Sequence, residues 1–186
     1  LTYEFLRTED VPWERTQCWL TDERHVPIDD ADSNGGMANA SLIDHVASRL
    51  HAIEFDPDPA RAAARYSMTL NAMWKESEST GRGLMLLGLG DDGHTASLFP
   101  GTEALDADTD FVANWVPAKD TWRLTATVPL LASAEQLIFL VAGAGKAEAV
   151  ASILESESSL PAAIVSQAAS DPVWMLDAAA ASGLCS

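Results

Sequence analysis

The chain has 186 residues, of which 47% are hydrophobic, a composition that fits a globular protein and excludes a disordered one. Its 28 acidic residues outnumber 11 basic ones; because nucleic acids and anionic lipids are bound through clustered Lys and Arg, neither is an expected partner. No apolar run approaches the roughly 20 residues of a membrane span. The two cysteines, Cys18 and Cys185, form no CxxC motif and predict a reducing, cytoplasmic compartment.

Strand and helix patterns alternate along the first half of the chain. Residues 1–7 resemble the tail of a helix already under way, so we expect that an N-terminal part is missing. Residues 17–21 form a short apolar strand candidate. Apolar residues near helical spacing predict a helix over residues 33–50, with Ser33 or Asn34 as the N-cap. A second helix is predicted over residues 56–76, where prolines suit the start and alanines the interior.

The second half continues the alternation. Strands are predicted at residues 84–89, 124–128, 137–142, 162–165 and 173–176, with a helix at residues 146–154. Strands separated by helices imply βαβ units, and therefore one α/β domain over residues 1–186 with a mostly parallel sheet. Ligands bind such sheets at the carboxyl ends of the strands, which is where the following motifs lie.

The glycine-rich segment at residues 88–101 follows the most apolar predicted strand. Its GxGxxG pattern at residues 88–93 suggests a dinucleotide site when taken alone. That motif requires a long helix beginning within it, whereas Pro100 cuts this segment short. Asp91 and Asp92 would also face the pyrophosphate. A dinucleotide site is therefore disfavoured.

Asp92 and His94 stand two residues apart at this strand end and can line one pocket. A carboxylate beside an imidazole orients it and favours its charged form, which suits a general base. Glycines such as Gly90 let the backbone turn sharply and approach a ligand closely. The alternative for an isolated Asp-Gly-His is a tight turn with a capping aspartate and a solvent-facing histidine.

Residues 88–101 as a whole resemble the signature of the 6-phosphogluconolactonase family, within the glucosamine-6-phosphate isomerase/deaminase superfamily. Other segments agree with the family pattern: DERHVP at residues 22–27 with DSN at 32–34, RLTATVP at 123–129, FLVAGAGKA at 139–147, and the C-terminal stretches at 160–163 and 174–177. They occur in family order over nearly the whole chain.

The resemblance implies a Rossmann-like, three-layer α/β/α sandwich that hydrolyses 6-phospho-D-glucono-1,5-lactone in the oxidative pentose phosphate pathway. No metal or organic cofactor is implied, and the expected partner is a small sugar phosphate. His94 matches the catalytic histidine that takes a proton from water and later protonates the departing ring oxygen, and Asp92 would orient it. We expect a monomer.

A phosphate dianion on so acidic a protein requires local cations. The resemblance favours Arg24 and Lys146, with Arg123 close behind; Arg offers a planar fork and Lys a point charge. Surface salt bridges are the alternative, above all for Arg123. Asn34 either binds the sugar or caps a helix, and Gly90 and Asp91 complete the predicted substrate-binding set.

Two other functions stay open. Glucosamine-6-phosphate deaminases share the glycine-rich segment but carry FNEPG-like and DEY-like sequences, where this chain has SLFPG at residues 97–101 and DER at 22–24. A non-catalytic sugar-phosphate sensor is the other alternative, although Asp92 and His94 favour an enzyme. The family's SGGST-like phosphate loop would precede residue 1, so we expect that the chain is a fragment lacking that loop and an N-terminal strand.

Overall fold

A computed structural model describes residues 2–77 and 81–185, and within these ranges eight strands form three sheets. The strands are β1 Gln17–Trp19, β2 Asp22–Arg24, β3 Arg49–His51, β4 Leu84–Leu87, β5 Phe111–Val116, β6 Thr121–Ala126, β7 Gln136–Val141 and β8 Val173–Leu176. The α-helices are α1 Thr2–Leu6, α2 Asn34–Ser41, α3 Pro59–Glu76, α4 Val128–Ala132, α5 Ala147–Glu155 and α6 Pro161–Ala168. None of the described helices combines the length and apolarity of a membrane span.

Two of the sheets are parallel, which confirms the predicted α/β class. β4, β7 and β8 form one parallel sheet with β7 in the middle, and β1 pairs with β3 in a second. The third sheet, in the order β2-β6-β5, is antiparallel and was not predicted. It matters for function because β2 and β6 carry two of the predicted site residues, Arg24 and Arg123.

The core lies between these sheets and the helices. On the parallel sheet Leu87 and Phe139 are buried. Helix α3 begins at Pro59, which follows an Asp58 N-cap whose carboxylate accepts a hydrogen bond from the Ala60 amide at 3.0 Å. The buried residues of α3 recur at helical spacing, as expected for a helix that lays one face on the core: Ala62, Ala63, Tyr66, Leu70 and Met73.

The single helix predicted over residues 33–50 is wrong in its second half. Helix α2 ends at Ser41, a 3₁₀ turn follows at Ile43–His45, and the chain then becomes β3. The Ser48 hydroxyl donates to the Thr16 carbonyl at 2.7 Å, next to the parallel pairing of β3 with β1. Long-range strand pairing thus overrides the local helical spacing. The N-cap itself is Ser33, whose side chain accepts a hydrogen bond from the Gly36 amide.

The strand predicted at residues 162–165 is also wrong, because this stretch lies inside helix α6. A short apolar run fits a buried strand or a buried helix equally well. Pro161 at the helix start and the following alanines favour the helix. The buried Ala162, Ala163 and Val165 form the face that α6 turns to the core.

Candidate active site

The predicted catalytic residues lie on a tight loop that leaves the carboxyl end of β4. The Gly90 amide donates to the His94 carbonyl at 2.7 Å, and the Gly93 amide donates to the Gly90 carbonyl at 3.0 Å. Gly93 has φ 79°, a left-handed conformation that favours glycine. The loop therefore folds back on itself and returns His94 to the end of the strand.

His94 is held from two sides. Its Nδ1 lies 2.5 Å from Asp92 Oδ1, and the same oxygen accepts the His94 backbone amide at 3.1 Å. The Phe99 ring stacks on the imidazole with centroids 4.2 Å apart. Among the described residues Nε2 has no hydrogen-bond partner, and the side chain is 30% exposed. The Asp92 contact thus fixes Nδ1 as the anchored nitrogen and leaves Nε2 for a ligand.

Electrostatics support a charged Asp92. Partial burial raises the pKa of the carboxyl, but the hydrogen bonds from the side chain and backbone of His94 outweigh it, so that the pKa lies below its ordinary value. The carboxylate is therefore ionised at neutral pH. It is suited to orient the imidazole and to stabilise its cationic form.

Gly90 lies directly beneath this pair. A Cβ atom at Gly90 would stand 1.9 Å from His94 Nδ1 and 2.7 Å from Asp92 Oδ1, far inside van der Waals contact. The structure thus places Gly90 as the floor against which both side chains pack. Its predicted role as a substrate contact stays a prediction.

Gly90→Ala is expected to lower kcat by about 100-fold, because displacing a catalytic group by roughly 1 Å can cost that much. The added methyl group must push His94 or Asp92 out of place. KM should change little, because the phosphate group of the substrate is expected to bind to other residues. Steady-state kinetics of the purified variant would measure this. Gly88→Ala is the matched control, since a Cβ there meets nothing within 4 Å. Equal activity of Gly90→Ala and wild type would contradict the steric argument.

A pair of arginines lies on the antiparallel sheet. Arg24 on β2 is the register partner of Arg123 on β6, so the two side chains share one face. Burial and the charge of Arg24 both lower the pKa of Arg123. Within the described residues neither guanidinium makes a salt bridge to a carboxylate. The charges of nearby Asp22, Asp32 and Glu23 act on Arg123 in the opposite direction. Two adjacent cations without a direct ion pair form a suitable site for a doubly charged anion.

Asn34 orients one of these arginines. Its Oδ1 accepts a short hydrogen bond from Arg24 Nη1, which also donates to the Asp32 carbonyl at 3.1 Å. Its Nδ2 donates to the Asp22 carbonyl at 3.0 Å. Asn34 is the first residue of α2, yet its side chain holds Arg24 and does not cap the helix. A contact with the sugar stays a prediction.

Glu23 is a site residue that sequence reasoning missed. Its carboxylate is only 4% exposed, and it accepts hydrogen bonds from the Asn34 and Gly35 amides at 2.6 and 2.7 Å and from the Ser33 hydroxyl at 2.9 Å. It therefore fixes the start of α2 against β2, between Arg24 and Asn34. The available signal in the sequence was strand alternation: next to Arg24 on a strand, Glu23 must point to the opposite face of the sheet.

Two further residues of the predicted set, Lys146 and Asp91, contact each other. Lys146 follows β7 and forms an ion pair with Asp91, which follows β4. The Lys146 side chain is 26% exposed and the Asp91 side chain 78% exposed. Lys146 is consequently neutralised by a direct ion pair with a surface carboxylate, a contact that neither Arg24 nor Arg123 makes within the described residues.

A cleft of about 950 Å³ collects part of the predicted set. It is lined by Gly90, His94, Arg24 and Asn34, together with Asp22, which was not predicted. The remaining predicted residues, Asp91, Asp92, Arg123 and Lys146, are not among its lining residues. Within the described ranges no three His, Cys, Asp or Glu side chains are grouped so as to hold a metal ion. That no cofactor is needed stays a prediction.

Comparison with known proteins gives consistent matches. The family model for glucosamine-6-phosphate isomerases/6-phosphogluconolactonase matches residues 1–174. A 6-phosphogluconolactonase of Nostoc sp. is 36% identical over 192 residues, covering 98% of this chain and 79% of the relative. The crystal structure of devB protein superposes with a TM-score of 0.86 at 31% identity, over 98% of this chain and 82% of that one. For 6-phosphogluconolactonase from Thermotoga maritima the TM-score is 0.81 at 27% identity, over 94% and 78%.

Proposed function

This chain belongs to the glucosamine-6-phosphate isomerase/6-phosphogluconolactonase family, and we propose that it hydrolyses 6-phospho-D-glucono-1,5-lactone to 6-phospho-D-gluconate. The observation that carries the proposal is the His94–Asp92 pair: Nε2 of His94 has no hydrogen-bond partner in the described part of the chain, and His94 lines a cleft that Arg24 also lines. A base, His94, and a cation, Arg24, in one cleft suit a substrate that joins an uncharged reacting group to an anionic group. A phosphorylated lactone has this combination.

The proposed chemistry uses His94 twice. Nε2 takes a proton from a water molecule as the water oxygen attacks C1 of the lactone, and the carbonyl electrons move onto the carbonyl oxygen. When the tetrahedral intermediate collapses, the bond between C1 and the ring oxygen breaks, and the imidazolium returns its proton to that oxygen. Asp92 stabilises the imidazolium between the two steps. The products are the open-chain acid and the regenerated imidazole.

The phosphate is proposed to bind the arginine pair on β2 and β6. Arg24 is preoriented by Asn34, and Arg123 stands beside it in register. Lys146 contributes less in this arrangement, because the phosphate must compete with Asp91 for its ammonium group. The binding site thus draws its positive charge mainly from the antiparallel sheet.

The test is acid release from freshly generated 6-phosphogluconolactone, measured against the spontaneous hydrolysis of the same lactone. We expect the purified protein to accelerate release in proportion to its concentration. The absence of any acceleration by folded protein would remove the lactonase proposal. Incubation with glucosamine 6-phosphate, followed by ammonia detection, would then test the deaminase alternative, and equilibrium binding of sugar phosphates would test the sensor alternative.

We further propose that the enzyme acts in the oxidative pentose phosphate pathway of the cytoplasm, as a monomer. The compartment is supported by Cys18 and Cys185, which are both free thiols. The acidic surface supports the proposal that nucleic acid is not a partner.

A further inference from the structure

Asn114 lies on the same face of the antiparallel sheet as the arginine pair. It is the register partner of Arg123, so that Arg24, Arg123 and Asn114 form one row across β2, β6 and β5. Only 2% of Asn114 is exposed. Its Nδ2 donates to the Ser97 carbonyl at 2.9 Å and to the Thr102 hydroxyl at 3.0 Å. A buried amide beside the arginines therefore binds the segment that follows His94.

The two acceptors of Asn114 lie on either side of Phe99 in the chain. The Thr102 hydroxyl, which accepts from Asn114, itself donates to the Phe99 carbonyl at 2.8 Å. Phe99 is 7% exposed, and its ring stacks on the imidazole of His94 with centroids 4.2 Å apart and 22° between the planes. Asn114 is thus connected to His94 by two hydrogen bonds and one ring contact.

Ser97 is held by all three strands of this sheet. Its carbonyl accepts from Asn114 on β5, its amide donates to the Thr125 hydroxyl on β6 at 3.2 Å, and its hydroxyl donates to Asp22 on β2 at 2.7 Å. Immediately before Ser97, Ala96 has φ 47°, a conformation that residues other than glycine rarely adopt. Such a backbone persists only where surrounding contacts hold it. The contacts to Ser97 provide that restraint on one side of Ala96.

We infer that Asn114 is a positioning residue for His94: it fixes the loop of residues 97–102, and this loop holds the Phe99 ring against the imidazole. The inference rests on the proposed lactonase function, in which His94 is the base. Because Phe99 packs on one face of the imidazole and Asp92 binds Nδ1, these two contacts together set the direction of Nε2. The antiparallel sheet then holds both the base and the phosphate-binding arginines, so that one element sets the distance between them.

Asn114→Ala should lower kcat for 6-phosphogluconolactone by about 10- to 100-fold while KM stays within about threefold, because displacing a catalytic group by roughly 1 Å can cost up to about 100-fold. Thr102→Val removes the same connection with little change in volume and should lower kcat less. Asn71→Ala is the matched control. This exposed amide also donates two hydrogen bonds, to the Ser67 carbonyl at 3.0 Å and to Asp110 at 2.8 Å, and neither acceptor belongs to the loop. It should keep the wild-type kcat and KM.

Proton NMR of His94 separates positioning from a general loss of stability, and it requires no substrate. In wild type the ring current of Phe99 shifts the carbon-bound imidazole protons of His94 upfield, and Phe99→Leu gives their positions without it. The chain has four histidines, so these signals can be assigned from the spectrum of His94→Ala. In folded Asn114→Ala and Thr102→Val they should move toward the Phe99→Leu positions, whereas Asn71→Ala should leave them in place.

Unchanged His94 signals in the folded variants would overturn the inference whether or not kcat falls, because Asn114 would then act on something other than the position of the imidazole. If Asn114→Ala does not fold, Thr102→Val decides by the same measurement. Failure of the wild type to hydrolyse the lactone would remove the lactonase function. The two failures are distinguishable, since the NMR comparison tests the position of His94 without any lactone.

Discussion

His94→Ala is expected to lower kcat for 6-phosphogluconolactone hydrolysis by about 10²–10⁴-fold, the usual loss when a positioned general base is removed. The alanine leaves no group to take the proton from water or to return it to the ring oxygen. KM should stay within a few fold, because the arginine pair that is proposed to hold the phosphate does not contact the imidazole. Acid release must be measured at lactone concentrations above KM, with spontaneous hydrolysis subtracted at each concentration.

His45→Ala is the matched control for this measurement. The imidazole of His45 is exposed, and its Nε2 contacts the Ala40 carbonyl away from the cleft. Its removal should leave kcat unchanged. If His94→Ala retained more than about a tenth of the wild-type kcat, a different group would have to activate water, and the stacking of His94 on Phe99 would be a packing feature alone.

The sequence could predict those parts of the site that lie on one continuous segment. The glycines of residues 88–93 predict the turn that returns His94 to Gly90, because Gly93 adopts a positive φ, which favours glycine. Ser33 as the N-cap of α2 is likewise a local effect of a hydroxyl on a helix amide. Likewise, the parallel strands β4 and β7 are visible as continuous apolar runs.

The remaining parts depend on residues that are far apart in the chain. Asp22 meets Ser97 across 75 positions, and Arg24 meets Arg123 only because β2 pairs with β6 in one register. Strand β2 has three residues, too few for an alternating pattern to be recognised. The antiparallel sheet was therefore missed, and with it the reason why Arg123 belongs beside Arg24.

The same distinction explains the two wrong elements. The short apolar stretch at residues 162–165 carries no periodicity that separates strand from helix, and only its packing against the core decides. The pattern over residues 33–50 does carry helical spacing, but the pairing of β3 with β1 competes with it. In both cases the local signal was ambiguous or weak, and tertiary contacts selected the structure.

Arg24→Gln and Arg123→Gln are each expected to raise KM for 6-phosphogluconolactone by about 10- to 100-fold while lowering kcat much less, because a hydrogen bond to a charged group contributes about 1.5–3 kcal/mol. Lys146→Gln should raise KM less, since Asp91 already neutralises the ammonium group. Inorganic phosphate as a competitive inhibitor gives a second readout, and its inhibition constant should rise in parallel with KM. The loss of either arginine should also weaken the dependence of KM on ionic strength, because less of the binding then comes from a charge attraction that salt screens.

Arg7→Gln removes a positive charge from an exposed position with no assigned role, and it controls for the change in net charge of an already acidic protein. It should leave KM and phosphate inhibition unchanged. If both arginine variants kept the wild-type KM and Lys146→Gln did not, the phosphate would bind at the carboxyl ends of β4 and β7, where Lys146 would exchange Asp91 for the substrate. The arginine pair would then have a structural role.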